Sequence, residues 1–235
     1  MDSTRSIRAG GWSLILGAIS FMVVFAFLAA RFDYPAVLDG PASTVLPKLL
    51  ATGSTGRAVW AIYAFLPLVW IPAGVGAYHA LRHTHPGAMF LALHTAIIAA
   101  LSMMLGLMRW PSIHWQLAEH YTSADAIERS TIGTLFDGLN SYLGNYVGEF
   151  LGELSFSTFF LLSAWALLRS RAVPRWLAVV GFFTGVAGLV GMFRNVTSAV
   201  DMVAAVNNYL LPIWMIGLGI ILLRWPPRAA PAAGA

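Results

Sequence analysis

Cysteine is absent from this chain of 235 residues. Disulfides, thiolate nucleophiles, iron–sulfur clusters and cysteine-based zinc sites are therefore excluded. Charge is scarce too. Asp, Glu, Lys and Arg make up 10% of the residues, against about 25% in an ordinary soluble domain. Lysine occurs once, as Lys48, in a loop between apolar stretches. A retinal-type Schiff base, which needs a buried lysine, is thereby excluded. The chain also lacks a P-loop, a dinucleotide glycine fingerprint, a His-Glu-x-x-His zinc motif and a serine nucleophile elbow.

Hydrophobic residues, by contrast, make up 58%, and the mean hydropathy is +0.73. This composition excludes a soluble globular enzyme, a disordered chain and a nucleic-acid reader. The net charge of +4 comes from arginines at the ends of apolar runs, where they orient a membrane protein.

A bilayer core of about 30 Å takes about 20 mostly apolar residues per helix. Six stretches qualify: about residues 12–30, 58–81, 87–108, 146–168, 173–193 and 202–223. The expectation is an all-α, polytopic bundle of six transmembrane helices forming one domain over residues 1–228. A disordered Ala- and Pro-rich tail, residues 229–235, follows it. The first stretch starts basic, at Arg5 and Arg8. It is longer than the ~7–15 residues of a signal-peptide core and shows no A-x-A site before Arg31. It reads as a retained helix.

If the spans alternate, one side of the membrane holds Arg5, Arg8, Arg82, Arg169, Arg171, Arg175, Arg224 and Arg228, opposed only by Asp2. The other holds Arg31, Lys48, Arg57, Arg109, Arg129 and Arg194 together with six acidic residues. The positive-inside rule then places both termini in the cytoplasm, which agrees with an even number of spans. The outer loops, around residues 31–57 and 109–145, are the long ones.

No strong helix breaker lies between Ser123 and Arg169. One helix of that length would extend roughly 70 Å, so its first part must lie outside the bilayer or along its surface. Asp125 followed by Glu128 is a helix-start signal. Ile127, Ile132, Leu135, Phe136 and Leu139 fall near helical spacing. An extra amphipathic outer helix from Asp125 to about Asp137 is expected before the fourth span, lying on or capping the bundle.

Polar residues inside a span are costly and usually face a bundle interior. The fourth span carries Asn145, Glu149, Glu153 and Ser157 at four-residue intervals. Each step drifts only about 40° on an α-helix, so these residues share a face. Two carboxylates one turn apart need a cation, a metal or a proton between them. A structural pair neutralised by Arg109 or Arg194 is the plain alternative to a ligand site. Beside the carboxylates run Gly144, Gly148 and Gly152, a small-xxx-small pattern that admits another helix closely. That helix could belong to the same chain, to a second copy or to another protein. Pro67 and Pro72 predict a kink in the second span.

Histidine chemistry is weakly supported. His79 and His94 sit on one hairpin at unequal depth, poorly placed for haem, and His83-x-His85 reads as a solvated turn. Cofactors are left unassigned.

The Gly10–Gly11 start of the first span and the polar-glycine run Leu143 to Leu154 form a pattern with the last span, where Asn208-Tyr209 precede Pro212, Trp214 and Gly217. Together they resemble a family of small six-helix bacterial membrane proteins classed only as a domain of unknown function. The resemblance implies a bacterial inner-membrane protein and brings no catalytic residues.

The leading functional expectation is binding or translocation of a small or amphiphilic ligand in an outward-facing polar cavity. Its candidate lining is Arg109, Asn145, Glu149, Glu153, Arg194 and Asn208. Two other readings stay open: an intramembrane enzyme using the glutamates as acid and base, and an accessory subunit whose glycine face binds a partner. The surroundings are the lipid bilayer.

Overall fold

The computed structural model describes residues 3–226. The expected tail, residues 229–235, and the charges of Asp2 and Arg228 lie outside them. The described residues are helical without a strand. Six helices are long and apolar enough to cross a membrane: α1 (Ser3–Phe32), α3 (Gly53–Leu81), α4 (Pro86–Ser123), α5 (Ala126–Ser170), α6 (Arg175–Asn195) and α7 (Ser198–Leu223). A shorter helix, α2 (Ala42–Ala51), stands between the first two. The chain is a multi-pass membrane protein.

Each spanning helix packs on the next in sequence, and α7 closes back onto α1. The interior of this ring is filled by large rings and small spacers. Trp70 of α3 stacks on Phe156 of α5 at 5.9 Å and meets Phe160 edge-on at 5.6 Å. Trp214 of α7 joins the same core with Leu14 and Ala18 of α1. Close approach depends on glycine. A Cβ on Gly10 would stand 2.9 Å from Gly76 Cα, and one on Gly106 would stand 2.5 Å from Gly148 Cα. Such separations leave no room for a side chain, so α1 meets α3, and α4 meets α5, at backbone distance.

Helix ends follow local chemistry. Pro86 opens α4 at its first turn, where its missing N–H costs nothing. Asp125 caps α5, as the sequence predicts: its Oδ1 accepts from the Ile127 and Glu128 amides at 2.8 and 2.9 Å, and Glu128 accepts from the Asp125 amide at 3.1 Å. Arg171, with φ of 55°, ends α5 in the left-handed region. The proline-rich middle of α3 tightens to a 3₁₀ turn over Leu66–Val69.

The spans outrun the apolar stretches that predict them. α4 continues to Ser123 and α5 starts at Ala126, because polar residues extend a helix as readily as apolar ones once it leaves lipid. The expected amphipathic helix is therefore the first part of α5, Ala126–Leu139, continuous with the span. Its buried face is narrower than expected. Phe136 is buried, with Ile132 and Leu139 packed beside it, whereas Ile127 and Leu135 are exposed. The protruding ends of α4 and α5 pack with α2 into a second apolar cluster. Phe32, Trp60 and Trp110 form its aromatic centre, with Trp60 and Trp110 stacked at 4.9 Å. This cap lies at the end of the ring opposite Ser3 and Pro226, the ends of the described residues.

The glycine row that could admit a partner helix is taken by the chain's own α4. Gly144 faces Arg109, Gly148 faces Gly106 and Gly152 faces Met103. Replacing Gly148 with leucine should therefore unfold the protomer rather than release a partner. Overpacking at this contact should cost at least about 3 kcal/mol. Gly138→Ala, where a Cβ meets nothing within 4 Å, should be neutral or slightly stabilising. Thermal unfolding in mild detergent separates the two.

Candidate functional site

Two adjacent rows run down α5, and each meets a different helix. The row Asn140, Gly144, Gly148, Gly152 faces α4. The row Asn145, Glu149, Glu153, Ser157 faces α6, through Asn195, Arg194 and Gly188. Between Asn140 and Leu151 the helix is wound as a π-helix. The i→i+5 bonding of such a segment widens the turn. A four-residue step falls short of a full turn there and overshoots one in the α-helix that follows, so along Asn145–Ser157 the two drifts oppose each other.

The acidic row closes on one guanidinium. Arg194 donates from Nε to Glu149 Oε2 at 3.2 Å and from Nη1 to Glu153 Oε1 at 2.5 Å, and its Nη2 is ion-paired with Glu149 Oε2 at 3.1 Å. Asn195 donates from Nδ2 to Glu149 Oε2 at 2.9 Å and to the Asn145 carbonyl at 3.1 Å. Consecutive residues reach the same row because α6 ends in a 3₁₀ turn, Met192–Asn195. A cation there also faces the negative end of the helix dipole. The Glu153 side chain is 13% exposed, that of Arg194 25% and that of Glu149 30%. Glu149 is thus the more accessible carboxylate. With all three groups ionised, the network carries a net charge of −1.

The six residues expected around one cavity fall into three places. Asn145, Glu149, Glu153 and Arg194 come together as described. Arg109 does not join them. It is 5% exposed and donates to Asn140 Oδ1 from Nε and Nη2, both at 3.1 Å, and to the Gly106 carbonyl at 2.5 Å. Its guanidinium lies over the Trp110 ring and fills the space left by the missing side chain of Gly144. Asn208 faces outward and is exposed; its neighbour Asn207 is the buried one. One residue along a helix turns the side chain by about 100°, which the asparagine pair alone cannot resolve.

Some contributors escape sequence reasoning. Asn140 anchors Arg109 and donates to the Leu38 carbonyl at 3.0 Å, tying the cap loop to α5. Its signal is its place one turn ahead of Gly144 in the glycine row. Tyr34, in the loop after α1, bonds Tyr63 of α3 through the hydroxyls at 3.3 Å. Burial holds the Tyr34 phenol above the ordinary tyrosine value, and Glu149, Arg109 and Arg194 all act on it electrostatically. Tyr34 therefore stays a neutral hydroxyl. Nothing local in the sequence marks it.

The family described as "Domain of unknown function (DUF4386)" matches residues 9–223. The chain belongs to this family. No curated protein and no solved structure matches the chain. In this DUF4386 protein the chemistry of the site therefore rests on its own residues.

Removing the arginine leaves two neighbouring carboxylates without their cation. Arg194→Gln should destabilise the fold by about 3 kcal/mol, at the low end for a broken buried pair because the groups keep some solvent contact. Adding Glu149→Gln and Glu153→Gln to Arg194→Gln should recover most of that loss. A thermal unfolding cycle over these variants checks it, and equal stability of wild type and Arg194→Gln would show the pair to be idle.

Proposed function

We propose that this membrane protein binds or translocates a small or amphiphilic ligand at the Arg194–Glu149–Glu153–Asn195 network. The supporting observation is the charge imbalance: two carboxylates share one guanidinium within a stretch long and apolar enough to span the bilayer. A purely structural pair would be neutral, since an excess charge in lipid is costly. The excess negative charge suits a ligand with a cationic or hydrogen-bond-donating head. Such a head would compete with Arg194 for Glu149, the more exposed carboxylate. Beside it, the Phe150 and Phe193 rings meet at 5.4 Å, and Tyr146 and Phe193 are exposed. These rings would suit an apolar tail.

The same reading places the protein in a cytoplasmic membrane with both termini inside, the network lying toward the outer face. Arginine distribution supports this orientation, and the meeting of α1 and α7 where a Cβ on Gly11 would touch Leu223 supports the two ends lying on one side. The accessory-subunit reading is weakened, because the glycine row is already filled by α4.

The ligand reading is tested by native mass spectrometry in mild detergent with lipid extraction. Wild type should carry a bound mass that Glu149→Gln loses at least about tenfold while remaining folded. Equal, empty spectra from both folded proteins would defeat it. Orientation is tested separately, since the chain has no cysteine of its own. A cysteine placed at Ser123 should react with an impermeant maleimide added outside intact cells, and one placed at Thr84 should not. The reverse pattern would invert the topology.

A further inference from the structure

The helix ends opposite the cap enclose a shallow recess that the Arg194 network does not use. It has about 380 Å³ of free space, part of it open to solvent. Three helices line it: α1 with Ser3, Thr4 and Arg8, α3 with His79, and the end of α7 with Leu222 and the Trp225 that follows. Glycine contacts one turn deeper hold the three together. Gly76, three residues before His79, meets Gly10 at backbone distance. Gly11, three residues after Arg8, meets Gly219, three residues before Leu222. Helix packing therefore fixes the floor of the recess. The Trp225 amide donates to the Leu222 carbonyl at 3.2 Å, which holds that residue in the turn after α7.

The recess is basic. Arg8 has no hydrogen bond, ion pair or ring contact among the described residues. Two other arginines at this end are taken up by rings: Arg82 lies over Tyr78 at 5.5 Å and Arg169 over Trp165 at 5.7 Å. No carboxylate of the described residues lines the recess. A guanidinium beside an imidazole and two hydroxyls is a set that recognises phosphate oxygens. Leu222 and Trp225 give the same recess an apolar side. A tryptophan at a span end belongs at the level of the lipid headgroups. Arg8 would repel a cation, and a soluble anion would leave the apolar side idle. A phospholipid satisfies both sides, with its phosphate toward Arg8 and its glycerol and first acyl carbons along Leu222 and Trp225. Basic recesses between spanning helices suit anionic headgroups in particular.

We propose that this recess binds an anionic phospholipid through its phosphate, with Arg8 as the charge partner and His79, Ser3 and Thr4 as hydrogen-bonding neighbours. The lipid bridges α1, α3 and α7, where the last span closes back onto the first. Its binding therefore steadies the closure of the ring. The recess stands at the other end of the spans from the Arg194 network, and nothing in it rests on the ligand reading of that network.

The test uses the full-length protein in a neutral detergent at physiological ionic strength. Native mass spectrometry counts bound lipid as dioleoyl phosphatidylglycerol or, separately, dioleoyl phosphatidylcholine is added. Thermal unfolding is followed in parallel, with each lipid and with inorganic phosphate. Wild type should hold phosphatidylglycerol at least about tenfold more tightly than phosphatidylcholine and be stabilised by it. Arg8 is exposed, so Arg8→Gln should stay folded. It should bind phosphatidylglycerol at least about tenfold more weakly. Arg5 is an exposed arginine of the same helix that does not line the recess. Arg5→Gln should change the affinity by no more than about twofold, because exposed charges are screened. Equal losses in the two variants would reduce the effect to diffuse surface charge and overturn the site. Equal retention of the two lipids by wild type would overturn it as well. Stabilisation by inorganic phosphate and none by phosphatidylglycerol would assign a soluble anion instead of a lipid. Phosphatidylglycerol binding that appears only in Asp2→Asn would make Asp2 the partner of Arg8 and remove the site. Glu149→Gln should keep its phosphatidylglycerol. Loss of that lipid in Glu149→Gln but not in Arg8→Gln would move it to the network and leave the recess without a role.

Discussion

A glutamate carried into a bilayer must bring its partner with it, because no solvent will supply one. In this protein two glutamates on α5 find theirs in one arginine at the end of α6, and the packing around them follows from that meeting. To hold Glu149 and Glu153 against Arg194, α5 must keep one face on α6 along several turns. It can do so only if its neighbouring face lets α4 in closely. The Gly106–Gly148 contact provides that approach. The π-wound segment over Asn140–Leu151 lies where both demands coincide. Wide segments of this kind often accompany functional positions, and this one carries residues of both rows.

The same helix links the two cores of the molecule. Within the ring, Phe156 and Phe160 of α5 pack against Trp70 and Trp214. Beyond it, Phe136 of α5 packs into the cap with Trp110 and His114. Arg109 sits between them, bonded to Asn140 and covered by Trp110. Its role differs from that of Arg194. Arg109 is fixed by amide and carbonyl acceptors in a buried niche, whereas Arg194 answers charge with charge at a partly open edge. The Arg194 groups keep partial solvent exposure, whereas Arg109 is enclosed.

Family membership and site chemistry carry different kinds of information here. DUF4386 identifies the chain by its overall pattern and assigns no activity. The described side chains add the physical content: a shared cation and an excess negative charge. A fold without function would have little reason to keep such groups in lipid, where leucine would be more stable.

Hydropathy and charge are properties of each residue, so the sequence by itself determined the features that depend on them locally. The six spans, the Asp125–Glu128 helix start, the Pro86 opening and the clustering of Asn145, Glu149 and Glu153 on one row were legible there. Partner choice is a property of pairs far apart in the chain, and only the tertiary structure decided it. Arg109 and Arg194 look alike in sequence, each basic at a span end, yet one meets Asn140 and the other two glutamates. Asn207 and Asn208 differ by one position, and helix rotation buries the first. The glycine row was readable as a contact surface, but nothing local says which helix fills it. Tyr34 meets the Tyr63 hydroxyl, 29 residues on, only because the loop after α1 folds back onto α3.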